Sequence, residues 1–124
     1  MRRVLIALPL LLAACGDQGP DAVSQYRETV RCYNAAATYA QQFVVSSDPD
    51  ATVKMIGYAG ELKAKAFTLG GKLGSPAGTV AGDTRGAEDA AYIRKFFSFS
   101  DGTMTATDFG KGEIAHCNLD AVLQ

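Results

Sequence analysis

The sequence predicts an all-α fold, a small antiparallel bundle of three to four helices that forms one domain over residues 21–124. Two observations support this prediction. Apolar residues recur at intervals of three and four positions along two long stretches, residues 21–45 and 49–73, and this is the period of an amphipathic helix. Ser-Ser-Asp-Pro and Gly-Ser-Pro follow these stretches, and such sequences end one helix and begin the next.

The first helix begins near Asp21, which we expect to be its N-cap, and ends at residues 46–49. Two adjacent apolar stripes make a face wide enough to pack against two neighbouring elements. The main stripe consists of Val23, Tyr26, Val30, Tyr33, Ala37, Ala40 and Val44. The second stripe consists of Cys32, Ala36, Tyr39 and Phe43.

The second helix begins with Ser47 or Asp48 as its cap and Pro49 in its first turn. Glycines at positions 70, 71 and 74 end it. Its apolar stripe repeats the helical rhythm, so we expect this stripe to face the first helix. The stripe consists of Met55, Ala59, Leu62, Ala66, Leu69 and Leu73.

The second helix also contains two glycines and a pair of opposite charges. Gly57 and Gly60 weaken the helix, but they also allow a partner helix to come close. Glu61 and Lys65 stand one turn apart on the polar side, where they form a favourable pair.

Ser75 and Pro76 form a further cap and first-turn pair, so a third helix is predicted to begin there and to run to about Phe99. We expect a break near Gly82 and Gly86. The second half of this segment, residues 87–97, has the stronger helical pattern. Its buried face consists of Ala90, Ile93 and Phe97.

Residues 96–107 are compatible with two interpretations. Apolar and polar residues alternate on both sides of Asp101-Gly102, and Asp-Gly is a preferred two-residue turn of a β-hairpin. The alternative fold is therefore α+β with a C-terminal β-hairpin around this turn. Its register would place Phe99 opposite Met104 and Phe97 opposite Ala106.

We favour a helix-turn-helix arrangement at this point, because a lone hairpin is marginally stable and no other segment has the pattern of a strand. Residues 101–102 are then an interhelical turn. A short fourth helix follows, weakened by two glycines at positions 110 and 112. Its apolar residues are Phe109, Ile114, Cys117 and Ala121.

The N-terminal segment contains Arg2 and Arg3, then an apolar run from Val4, and ends in Leu-Ala-Ala-Cys at residues 12–15. This order resembles the signal peptide and lipobox of bacterial lipoproteins. The resemblance implies that residues 1–14 are removed and that Cys15 is acylated, so that residues 15–20 tether the domain to a membrane. Position 16 is Gly rather than Asp, and in that family this favours the outer membrane, with the domain in the periplasm.

The same resemblance accounts for the odd number of cysteines. Acylation uses Cys15 and leaves Cys32 and Cys117 in an oxidising compartment, where disulfides persist. We expect these two residues to form a structural disulfide between the first helix and the end of the chain. The chain-entropy model gives such a bridge about 4 kcal/mol of stabilisation.

Charge argues against nucleic acid as a partner. The chain has 12 basic and 13 acidic side chains, and loss of the two N-terminal arginines would leave the mature domain with a net charge of about −3. Its basic residues are scattered along the sequence rather than clustered on one segment. A nucleic-acid interface requires a concentrated basic face.

The sequence contains no residue that we expect to be catalytic, and we expect neither a cofactor nor a metal ion. His116 is the one histidine, and it directly precedes Cys117. Neighbouring residues of a helix point about 100° apart, which is unfavourable for a base and its nucleophile. A zinc site requires three or four ligands, and c-type haem requires Cys-x-x-Cys-His.

Five aromatic residues are the candidate binding surface: Tyr39, Phe43, Phe96, Phe97 and Phe99. Such stripes usually belong to a core, but an exposed apolar patch would favour a partner protein, and a closed cavity would favour a ligand. We therefore expect a non-enzymatic protein of the cell envelope that binds another protein or acts as a structural accessory. The alternative is a periplasmic carrier or sensor of a small apolar ligand.

Overall fold

The computed structural model describes residues 20–124, and it is dominated by two long helices. Helix α1 (Pro20–Val45) and helix α2 (Pro49–Lys72) are joined by a three-residue turn and pack along their length as an antiparallel pair. The Asp48 side chain caps α2 by accepting a hydrogen bond from the Ala51 amide at 3.2 Å, as predicted. Asp21 lies in the first turn of α1 rather than at its cap, because the helix already includes Pro20.

The predicted third helix is broken into separate pieces. They are α3 (Ala77–Asp83), a 3₁₀ turn (Gly86–Glu88) and α4 (Ala90–Phe96), which the Asp89 side chain caps. Two side chains of α1 hold this segment in place. Tyr26 donates a hydrogen bond to the Asp83 carboxylate at 2.7 Å, and Asn34 accepts one from the Gly86 amide at 3.0 Å.

Residues 97–106 form a β-hairpin, so the helix-turn-helix interpretation of this segment is wrong and the alternative is confirmed. Strands β1 (Phe97–Ser100) and β2 (Thr103–Ala106) pair antiparallel in the predicted register, with Phe97 opposite Ala106 and Phe99 opposite Met104. The turn residues have φ values of 52° and 79°, which suit Asp and Gly. The hairpin is stable because one side of it packs on the helical core.

The C-terminal helix is shorter than predicted. Helix α5 (Asp108–His116) is followed by a 3₁₀ turn (Leu119–Leu123). Asn118 adopts a left-handed conformation with φ of 52°, which ends the helix. Cys117 and Ala121 therefore lie beyond α5, although both were predicted to belong to it.

A disulfide joins Cys32 of α1 to Cys117, with 5.6 Å between the two Cα atoms. The predicted pairing is confirmed, and it fixes the end of α5 against the middle of α1. The main core lies around this bond, between α1, α2, α4, β1 and α5. A smaller apolar cluster of Tyr26, Ala66 and Val80 joins α3 to the two long helices. The described part of the chain is thus a mostly helical fold with one disulfide and one small hairpin.

The predicted signal peptide (1–14), Cys15 and the predicted tether up to residue 19 lie outside the described residues.

Candidate functional site

Four of the five aromatic residues predicted to form a binding surface belong to the core. Tyr39, Phe43, Phe96 and Phe97 are at most 9% exposed. Their rings pack directly on one another, with centroids 4.9 Å apart for Tyr39 and Phe43 and 4.8 Å apart for Phe96 and Phe97. These residues therefore present little surface to a partner, because they face neighbouring elements of the fold.

Phe99 is the one member of this set that is exposed, at 74%. It lies on β1, opposite Met104 and next to the residues that lead into the hairpin turn. The five residues are therefore not brought together into one site.

The space beside Tyr39 is an open groove of about 370 Å³ rather than an enclosed chamber among the aromatic rings. Its walls include polar groups, such as Lys111 and Asp120, beside the apolar Met104 and Ile114. The Tyr39 hydroxyl donates a hydrogen bond to Asp120 at 2.9 Å. Burial, together with that bond, raises the pKa of Tyr39 to about 12, so the tyrosine is neutral at physiological pH. A carrier of a small apolar ligand would need a more enclosed and less polar space.

A different surface carries three exposed aliphatic side chains. Val44 at the end of α1 is 60% exposed, and Val53 and Ile56 on α2 are 71% and 55% exposed. They border two adjoining grooves, one of about 260 Å³ between the two helices and one of about 490 Å³ beside their connecting turn. Val44 lines both grooves, so the two form one continuous surface.

We call this surface the α1–α2 face. On α1 it consists of Tyr33, Ala37, Ala40, Gln41 and Val44, and on α2 it consists of Val53, Ile56, Ala59, Gly60 and Lys63. Its centre is shallow because its floor consists of alanines and a glycine. Larger side chains stand at its borders, and the Lys63 ammonium lies 5.7 Å from the centre of the Tyr33 ring at one end.

The sequence contains a signal for this face. Val53 and Ile56 are apolar, but they lie outside the buried stripe of the second helix, which includes Met55 and Ala59. Apolar residues on two sides of one helix indicate a second contact surface, because a helix with one buried face has polar residues opposite it. The spacing of Val44 predicts that it continues the main apolar stripe of α1, but no neighbouring element among the described residues covers it.

A charged cluster lies between α1 and α5, next to the disulfide. Arg31 binds the Glu113 carboxylate with two nitrogens, at 3.0 Å from Nε and 2.6 Å from Nη2. Glu113 is buried, whereas Arg31 is half exposed. The hydrogen bonds to Glu113 raise the pKa of Arg31 above its ordinary value. Beside this pair, His116 Nε2 lies 2.8 Å from the Glu28 carboxylate.

The disulfide removes one of the three candidate metal ligands of this cluster. The ligand atoms of Glu28, Cys32 and His116 lie within 4.8 Å of one another. The Cys32 sulfur, however, is bonded to Cys117 and is not a thiolate, which is the form that binds metals. The Arg31 guanidinium also lies 3.2 Å from His116 Nε2 and would repel a cation. The disulfide also means that Cys117 has no free thiol that could act as a nucleophile beside His116.

Within residues 20–124, no helix combines the length and the apolar character needed to cross a bilayer. Comparisons with protein-family models, with curated proteins and with solved structures find no match to this chain.

Proposed function

We propose that this protein is a lipid-anchored protein of the bacterial envelope that binds another protein through the α1–α2 face and catalyses no reaction. The observation that carries the binding role is the set of three aliphatic side chains, Val44, Val53 and Ile56, each more than half exposed around a shallow groove. Contiguous exposed apolar surface marks an interaction site in soluble domains, because covering it removes apolar area from water.

The position of this surface fits the same role. It lies on the two longest helices, which are packed against each other and fixed by the core, so the surface is rigid before it binds. A preformed surface loses little conformational entropy on association. The lipobox resemblance supports the anchoring part of the proposal, with Cys15 as the acylated residue.

The binding role is tested by crosslinking in native envelopes. A photoreactive residue in place of Val53 should give a discrete adduct, whereas the same residue in place of the exposed Ser98 on the β-hairpin should give none. An Ile56→Asp substitution in the Val53 probe should lower the adduct yield at least tenfold without loss of helix content, since Ile56 is exposed. Equal yields from both probe positions, or an unchanged yield with Ile56→Asp, would contradict the proposal.

The anchor is tested separately with a palmitate analogue. We expect the full chain to take up label and to sediment with membranes, and we expect a Cys15→Ala chain to do neither. Label that persists in the Cys15→Ala chain would show that acylation is not at this residue.

A further inference from the structure

We propose that the residues around the disulfide form a zinc site when the bond between Cys32 and Cys117 is reduced. The four ligands are the two cysteine sulfurs, Nε2 of His116 and the Glu28 carboxylate. In the oxidised protein the sulfurs are bonded to each other, so the site exists only in the reduced form. None of its residues belongs to the α1–α2 face, and the inference is therefore independent of the proposed binding role.

The first argument is that ligand atoms from two distant parts of the chain converge at one place. Glu28 and Cys32 are one turn apart on α1, so their side chains lie on the same side of this helix. His116 is the last residue of α5, and its Nε2 atom lies 2.8 Å from the Glu28 carboxylate. The Cys32 sulfur lies 3.6 Å from the same carboxylate. All three ligand atoms lie within 4.8 Å of one another.

These separations are close to those in a tetrahedral zinc site. Bonds of about 2.0 Å from zinc to nitrogen and oxygen and about 2.3 Å to sulfur place the ligand atoms about 3.3–3.8 Å apart. Each of the three separations in the cluster differs from this range by about 1 Å or less. Rotation of the side chains, without movement of α1 or α5, is therefore sufficient to form the site.

Cys117 supplies the fourth ligand. Its sulfur is next to that of Cys32, because the two are bonded in the oxidised protein, and their Cα atoms are 5.6 Å apart. Reduction frees both sulfurs, and each then moves by rotation about its own Cα–Cβ bond. Two cysteines, a histidine and a carboxylate are all ligands that zinc accepts. With four protein ligands the site is closed, which is typical of structural rather than catalytic zinc.

The second argument is the charge of the cluster. In the oxidised protein the sulfurs are uncharged, Glu28 lies beside His116, and Glu113 is paired with Arg31. As metal ligands the two cysteines are thiolates, which adds two negative charges beside the Glu28 carboxylate. The two positive charges of zinc compensate them. The three anionic ligands also outweigh the repulsion between zinc and the Arg31 guanidinium.

The third argument is access. The Glu28 and His116 side chains are 53% and 40% exposed, so a metal ion and a reductant reach the cluster from solvent. The two cysteines lie beneath them and are buried against the main core. A bound zinc ion is therefore covered by apolar residues on the sulfur side. In the reduced protein it holds the end of α5 against α1, which is the role of the disulfide in the oxidised protein.

Formation of the site requires a dithiol reductant. By thiol–disulfide exchange, the bond between Cys32 and Cys117 becomes two thiols while the dithiol is oxidised to a disulfide. Two electrons pass to the protein in this step. Zinc then binds both sulfurs, and each thiol releases one proton to solvent. The metal ion itself is neither oxidised nor reduced.

The experiment uses the full chain with Cys15→Ala, purified in detergent, so that Cys32 and Cys117 are the two remaining cysteines. Zinc binding is measured by equilibrium dialysis in the oxidised chain and in the chain reduced with a phosphine. We expect one zinc ion per reduced chain, bound at least about 100-fold more tightly than by the oxidised chain, which lacks two of the four ligands. Equal affinity of the two forms would overturn the proposal.

Two substitutions test the ligands that are not cysteines. In the reduced chain, His116→Gln and Glu28→Gln should each weaken zinc binding at least about tenfold. Glu61→Gln is the matched control, because Glu61 is also an exposed glutamate on a long helix, and it should leave the affinity unchanged. If either His116→Gln or Glu28→Gln leaves the affinity unchanged, the four-ligand assignment is wrong, because the thiolates then bind zinc without that residue.

Folding is measured in the same samples, since reduction removes a covalent constraint. We expect zinc to preserve the helix content of the reduced chain by circular dichroism and to raise its melting temperature. Cobalt(II) in place of zinc should give the strong visible absorption of a tetrahedral site with thiolate ligands. A reduced chain that loses its helix content and does not regain it with zinc would overturn the proposal, because Glu28 and His116 meet only in the folded protein.

Discussion

Glu113 is a buried carboxylate whose charge is compensated by one residue, Arg31, which lies 82 positions earlier in the chain. Removing the guanidinium leaves that carboxylate in a poorly solvated position. We expect Arg31→Met to lower the free energy of unfolding by about 2 kcal/mol, the cost of an unpaired buried polar group. Urea unfolding at pH 7 measures this change in the free energy of unfolding.

The control for this prediction is Arg27→Met, which changes an exposed arginine one turn earlier on the same helix. We expect this change to be within about 0.5 kcal/mol of the original protein. Adding Glu113→Leu to Arg31→Met should recover most of the lost stability, because the unpaired charge is then absent. Equal effects from Arg27→Met and Arg31→Met would show that the ion pair contributes nothing.

Tyr92 has a buried hydroxyl that makes no hydrogen bond within the described residues. Burial, and then the charge of Glu113, raises the pKa of this tyrosine to about 12. The folded protein therefore favours the neutral form of this tyrosine. The stabilisation that results from the raised pKa is complete below pH 10 and is lost as pH rises from 10 to 12. We expect Tyr92→Phe to leave stability unchanged or higher at pH 7 and to weaken its decline above pH 10.

Tyr26 provides the comparison for this prediction. Its pKa is also raised to about 12, mainly by burial and next by its hydrogen bond to Asp83. Because Tyr26 donates that bond, Tyr26→Phe should cost about 1 kcal/mol at pH 7 and should also weaken the decline above pH 10. Urea unfolding at pH 7 and pH 11 distinguishes the two variants. A loss at pH 7 as large for Tyr92→Phe as for Tyr26→Phe would contradict the interpretation.

At the residue scale, local chemistry was predictable from sequence and distant pairing was not. The cap at Asp48 follows from Asp-Pro before an apolar stripe, and the bond to the Ala51 amide confirms it. No pattern in the neighbouring sequence predicts the burial of Glu113. It depends on the crossing of α1 and α5, which brings Arg31 to it.

Helix α5 contains two glycines with opposite environments. A Cβ at Gly110 would clash with the Phe96 carbonyl oxygen, whereas a Cβ at Gly112 would meet nothing within 4 Å. We expect Gly110→Ala to destabilise the protein by about 1–3 kcal/mol, because backbone atoms must move apart. Gly112→Ala should stabilise it by about 0.5–1 kcal/mol, because alanine favours the helix.

Thermal unfolding of the two single variants measures this contrast, and each is the control for the other. Both add the same methyl group to the same helix, so helix propensity alone would shift the melting temperature upward in both. A fall for Gly110→Ala with a rise for Gly112→Ala supports the close approach of α5 to α4. A rise for both would show that α5 has room at Gly110.

At the element scale, the sequence is compatible with the β-hairpin but does not favour it over two helices. Its turn and register were predictable, since Asp-Gly and the alternation around it are local patterns. The stability of the hairpin was not predictable, because it depends on contacts with residues that are distant in sequence. Phe97 is buried in the main core, and Met104 and Ala106 pack against the same core. The alternation of apolar and polar residues does not show which elements pack against a strand.

The disulfide acts on the whole molecule, because it closes a loop of 85 positions that includes most of the core. We expect the double variant Cys32→Ser, Cys117→Ser to lose about 4 kcal/mol in the free energy of unfolding, since its unfolded chain is less constrained. Urea unfolding without reductant measures the loss. The original protein unfolded with reductant should show a similar loss. A loss below about 1 kcal/mol in both would mean that the bond contributes little.

At the scale of the whole molecule, the helical class, the two long helices and the disulfide were predictable from apolar spacing, caps and cysteine parity. The α1–α2 face was not predicted, because a stripe has the same period whether or not a neighbour covers it. Val44 continues the apolar stripe of α1 but is 60% exposed, whereas Phe43 in the same turn is buried in the core.

The bond between Cys32 and Cys117 also determines what a protease can release. A single cut anywhere from residue 33 to residue 116 produces two fragments that stay covalently joined. The nicked protein would migrate as one band on a non-reducing gel and as two bands after reduction. After a first cleavage inside this loop, the whole domain thus stays attached to the residues that precede Cys32, and its release requires a cut before residue 32 or a reductant.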